Sequence, residues 1–140
     1  MVYIHHRNCS SVIGKMLDEN AHIAALLDHT ANRKDAIFVP FFDINTSFNK
    51  GLVTIAVRKH KPIRPTFLTR TEKGAELLFL EQIVPDESLK PKERIYDLAL
   101  RINKAFEEII KTHPEQWYLV HKRFKRIENE DGKITKGLYL

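Results

Sequence analysis

The amino-acid sequence predicts an α/β layer fold, a mixed sheet with flanking helices, and three observations carry that expectation. One long stretch repeats apolar residues at helical spacing, several short apolar runs suit strands, and turn residues separate two of those runs. The chain has 140 residues, 43% of them hydrophobic and 29% charged, which suits one globular domain. Eight Phe, four Tyr and one Trp are too many for a solvated tail.

Taken in order, Val12 to Asn20 reads as a short helix with Val12, Ile13, Met16 and Leu17 on one face. Ala21 to Asp28 is a continuous apolar run of a length that suits a strand buried on both faces. Thr30 to Asp35 is polar and reads as a loop. Ile37 to Phe42 is densely apolar, but Pro40 cannot donate to a ladder, so a packed loop is expected rather than a central strand. Asn45-Thr46-Ser47 reads as turn and cap before a helix over Phe48 to Lys59. Pro62 to Thr69 and Ala75 to Ile83 read as two strands joined at Lys73-Gly74. The clearest element is a helix over Lys92 to Thr112, whose stripe from Ile95 to Ile110 lies between Pro91 and Pro114. Asp131-Gly132 marks a turn in a polar C-terminal segment.

The net charge is +5, and the excess gathers in Arg58 to Arg64 and in His121 to Arg126. Such clusters attract phosphates on nucleic acid, on an anionic lipid surface or on an acidic carrier protein; the bland alternative is a solvated basic face. No apolar run approaches the roughly 20 residues of a membrane span, and no secretory signal is visible. The lone Cys9 excludes an internal disulfide and has no activating context. His5, His6 and Cys9 are too loosely spaced to argue for a metal, and the five glycines are too scattered to form a phosphate loop.

Three stretches resemble the bacterial lipid A biosynthesis (lauroyl/myristoyl-type) acyltransferase family. Leu26-Leu27-Asp28-His29 followed by Ile37-Phe38-Val39-Pro40-Phe41-Phe42 is similar to that family's Asp-Gln, short loop, Phe-Val-Pro-Phe-Phe-Gly region. Gly51, Ile55, Ala56, Pro62, Pro65 and Arg70 then fall at the family's spacing without a gap. His113-Pro114-Glu115-Gln116-Trp117 running to His121-Lys122-Arg123-Phe124-Lys125 resembles its closing Pro-Glu-Gln-Tyr-x-Trp-x-His-Arg-Arg-Phe-Lys motif. The family's glycines after the double Phe and in its Gly-Ala-Pro turn are Asp43 and His60 here, which puts backbone geometry at those two points in question.

The resemblance implies part of a glycerolipid acyltransferase-like layer fold. Its expected extent is residues 17–125, with an N-terminal extension over 1–16 and a polar tail over 126–140, and it corresponds to the C-terminal half of a family member. It implies transfer of a fatty acyl chain from an acyl carrier protein thioester to a lipid A precursor, with no metal or small cofactor. It further implies peripheral contact with lipid on the cytoplasmic side of the bacterial inner membrane, and no nucleic-acid partner. Carried over onto this sequence, Asp28 supports the floor of the active site, Arg70 offers its planar fork to a phosphate, and His121, Lys122, Arg123 and Lys125 bind or support substrate.

The family's general base and its orienting carboxylate come from a His-x4-Asp/Glu motif. The residues five positions after His5, His6, His22, His29, His60, His113 and His121 are Ser10, Ser11, Leu27, Lys34, Pro65, Tyr118 and Arg126, none of them a carboxylate. The expectation is therefore a truncated, inactive acyltransferase-like chain. A small basic module binding nucleic acid or anionic membrane is the alternative.

Overall fold

The apolar stripe of the long helix organises everything around it. The computed structural model describes residues 9–118 and 122–137. The helix α3 spans Pro91–Thr112, with Pro91 in its first turn, where a missing N–H costs nothing. Leu98, Ala99 and Ile102 are fully or almost fully buried and meet Val39, Phe48, Val53, Ala56 and Val57 in one core cluster. These partners come from strand β1 (Ala36–Phe41), strand β2 (Ile44–Asn49) and helix α2 (Lys50–Arg58). Helix α1 (Cys9–Asp18) packs outside α2.

The α/β class holds, with two sheets and three helices among the described residues, and every strand pairing among them is antiparallel. The larger sheet has the order β1-β2-β5-β6, where β5 is Arg126–Glu128 and β6 is Ile134–Lys136. A separate two-stranded sheet pairs β3 (Thr66–Thr71) with β4 (Gly74–Phe79), the hairpin expected around Lys73-Gly74.

Three expectations need correction. Ile37 to Phe42 is not a loop: Ala36–Phe41 is the edge strand of the larger sheet, paired with β2 on one side only. An edge position is where a strand tolerates proline, and the Pro40 carbonyl is used by the Asn103 side-chain amide at 2.8 Å. Asn45-Thr46-Ser47 is not a turn but the heart of β2; Thr46 and Ser47 are fully buried, and the helix cap moves to Asn49, whose Oδ1 accepts from the Gly51 N–H. Ala21 to Asp28 is not a strand. It lies in no ladder, and Leu26 is 80% exposed. An apolar run becomes a two-sided buried strand only with partners on both sides, and here the segment drapes instead along α3 and β3, with Leu27 against the core. The polar C-terminal segment forms β5 and β6 around the expected Asp131-Gly132 turn.

The two positions that lost a family glycine both require a left-handed backbone. The turn between β1 and β2 has φ of 47° at Phe42 and 62° at Asp43, as a two-residue hairpin turn demands. His60, with φ of 51°, ends α2: the His60 N–H reaches the Val57 carbonyl and the Lys61 N–H reaches Ala56. That is a Schellman closure with histidine where glycine is the low-strain choice.

Candidate functional site

Between α3, β3 and the segment Ala25 to Asp28 runs a groove of about 260 Å³. Its walls are Leu26, Leu27, Phe67, Phe106, Ile109 and Ile110, and its polar groups are Asp28, Thr69, His113, Gln116 and Arg123. Phe67 crosses Phe106 edge to face at 5.3 Å, which fixes the β3–β4 hairpin to α3 and sets the groove's width.

Arg123 is the anchor of this end of the molecule. Its side chain is almost fully buried, and its guanidinium donates to the His29 carbonyl (2.9 Å), the Ser47 carbonyl (3.1 Å) and Asn103 Oδ1 (2.8 Å). The cation also lies over the rings of Phe41 and Phe48, at 4.9 and 5.5 Å from their centroids. Burial pushes its pKa down to about 10 while the Asp28 carboxylate pulls it back up, so it stays cationic at neutral pH. A buried charge held by carbonyls, an amide and two aromatic faces ties four distant segments to one point.

The stretches that carry the family resemblance converge here. Phe41 and Phe42 meet Trp117 at 5.7 and 6.1 Å, and Phe124 closes the cluster against Phe41 at 5.8 Å. Gln116 clasps Arg70 by its backbone, accepting from the Arg70 N–H at 2.6 Å and donating to its carbonyl at 3.1 Å. On α3, Asn103 and Glu107 lie four residues apart on the buried face. Glu107 accepts from the Phe42 N–H at 2.9 Å and from Lys104 at 2.8 Å, holding the strained β1–β2 turn.

The family model described as bacterial lipid A biosynthesis acyltransferase matches residues 4–126. The chain belongs to that family. Among curated proteins, none matches the chain. Against the family's architecture, the expected site residues divide. Asp28 and Arg123 share the groove. Asp28 ends no strand, however, and its side chain is 40% exposed, with His29 Nε2 at 3.8 Å from its Oδ1. Arg70 lies within β3, exposed, over an adjoining hollow with Leu68, Glu115 and Tyr118. Lys122 and Lys125 face a different hollow altogether, and His121 lies outside the described residues.

Asn103 and Glu107 escaped notice because the α3 stripe reads as core. The signal was two polar side chains four residues apart on its apolar face. Three described histidines sit near carboxylates. His29–Asp28 (3.8 Å) and His113–Glu115 (3.9 Å) border the groove but exceed hydrogen-bond length. His60 Nδ1 reaches Glu87 at 2.8 Å, but neither residue lines the groove. Among the described residues, no helix is long and apolar enough to cross a membrane, and no group of His, Cys, Asp or Glu has the geometry to hold a metal.

Proposed function

We propose that this chain forms the acyl-binding half of a lipid A acyltransferase cleft: a fatty chain lies along Leu27, Phe106, Ile109 and Ile110, with its carboxyl-derived end toward Asp28 and Gln116. The observation that carries this reading is the apolar groove ending at the point where the family's stretches converge. The donor is an acyl carrier protein thioester, the acceptor a lipid A precursor, and the work is done at the cytoplasmic face of the inner membrane. Asp28 supports the polar end of the cleft, and Arg123 acts as a positioning residue, since its guanidinium already serves three acceptors. Arg70 offers its fork to an acceptor phosphate from the adjoining hollow.

The 140 residues contain no histidine with a carboxylate five positions on, and the groove has no imidazole–carboxylate pair at hydrogen-bond length among the described residues. In this reading the chain binds the acyl group but by itself does not deprotonate the attacking hydroxyl. One experiment addresses both parts. Trp117 is the chain's single tryptophan and lines the groove. A spin-labelled long-chain fatty acid therefore quenches its fluorescence saturably, and Ile110→Asp weakens that quenching about tenfold, as a buried carboxylate in an apolar wall dictates. The same preparation shows no turnover of acyl carrier protein thioester. Absent or unsaturable quenching refutes the binding half of the reading; measurable turnover refutes the other half.

A further inference from the structure

On the side of the C-terminal hairpin lies a second concavity of about 470 Å³ that shares no residue with the acyl groove. Arg33, Lys122, Lys125, Arg126 and Lys136 line it, together with Ile134 and Thr135, and no carboxylate is among its walls. These cations come from three places in the chain: the 3-10 turn over Arg33–Asp35, the bend before β5, and the β5–β6 hairpin. None of the five takes part in an ion pair among the described residues.

Two features mark this as a built site. Arg126 and Lys136 stand directly opposite each other on β5 and β6, a like-charge cross-strand pair that weakens a sheet unless an anion lies between. Arg126 is also fixed, its guanidinium donating to the Ala31 carbonyl at 2.9 Å, so that part of the positive charge is immobile. Convergent lysines and arginines are the chemistry of phosphate capture.

We infer that this hollow binds a phosphate group, as a site separate from the acyl groove. The phosphate is borne by a lipid headgroup or is free in solution, and the test distinguishes these. The 140-residue chain is titrated, at constant ionic strength, with inorganic phosphate and with phosphatidylcholine vesicles containing or lacking phosphatidic acid. Amide chemical shifts of β5 and β6 report the first titration and co-sedimentation the second. Saturable binding to phosphate, or to the phosphatidate vesicles over the neutral ones, supports the inference; response to vesicles alone assigns a lipid headgroup. Arg33→Glu combined with Lys136→Glu, both at exposed positions, weakens that binding at least about tenfold, because each side chain stops attracting and starts repelling the anion. Binding rises with pH across the phosphate's second ionisation, because the dianion is held more tightly. No response to either probe, or equal binding by the double variant, overturns the inference. Quenching of Trp117 by the spin-labelled fatty acid stays unchanged in the double variant, so failure here is separate from failure of the acyl reading.

Discussion

The two hairpins of the molecule, β1–β2 and β3–β4, invite comparison because their backbones are alike. Each pairs two six-residue strands in full antiparallel register across a two-residue connection. Their side chains fare oppositely. In β1–β2, Val39, Phe41 and Phe48 are buried, and so are the hydroxyls of Thr46 and Ser47. In β3–β4, the outer face leaves Leu68 70%, Phe79 61% and Leu77 51% exposed, with Leu68 directly opposite Leu77. The more polar strand is buried and the apolar one faces out. What decides burial is the neighbour: α3 covers one face of β1–β2, while β5 pairs beside β2 and carries the chain on from the buried Arg123. Only the Phe67 face of β3–β4 meets α3. A two-stranded sheet covered on one side depends on few attachments, here the Phe67–Phe106 crossing and the Gln116 clasp on Arg70.

The sharpest way to break this comparison is to remove its anchor. Arg123→Ala removes three hydrogen bonds, to Asn103 and to the carbonyls of His29 and Ser47, and is expected to cost about 3–5 kcal/mol in urea unfolding. Leu77→Ser, on the outer face of the other hairpin, is expected to stay within about 0.5 kcal/mol. Equal costs for the two would mean that the molecule's stability is not centred on Arg123.

A smaller effect isolates the contribution of the C-terminal hairpin. Gly137 lies so close to the backbone of Phe124 that an added Cβ would collide with its carbonyl, while its own N–H bonds the Lys125 carbonyl at 2.9 Å. Gly137→Ala is expected to detach β6 at a cost of about 2 kcal/mol. Faster amide exchange confined to β5 and β6 would show it, whereas unchanged protection would mean that the close approach contributes nothing.

A further effect has the opposite sign. His60→Gly relieves the left-handed strain at the end of α2 and loses only an exposed contact to Glu87, so stability is expected to rise by about 1 kcal/mol. A fall in the unfolding midpoint would mean that the His60–Glu87–Arg94 contact outweighs the strain.

Part of this molecule could be read without coordinates. The α3 stripe announced a helix, its borders and its burial, because period and proline placement are local properties of the chain. The β3–β4 hairpin was legible for the same reason, from turn residues between two apolar runs. The two replaced glycines pointed to left-handed backbone at Asp43 and His60, where substitution does not change what the turn requires. Asp28 and Arg123, which lie in two of the stretches that resemble the family, both line the same groove.

The rest lay in non-local pairing. Whether Ala21 to Asp28 becomes a strand depends on partners that the segment does not contain. Whether Pro40 breaks a strand depends on its lying at an edge, and whether Thr46 and Ser47 form a turn or a buried strand depends on β1 and β5 flanking them. The run His121 to Arg126 reads as one basic patch. The bend before β5 instead turns Arg123 inward as a scaffold and leaves Lys122, Lys125 and Arg126 around a separate hollow. Local sequence determined this protein's helices, turns and charge. Tertiary structure alone decided which charges are interior and which line surface hollows, because burial is a property of the neighbours a residue acquires.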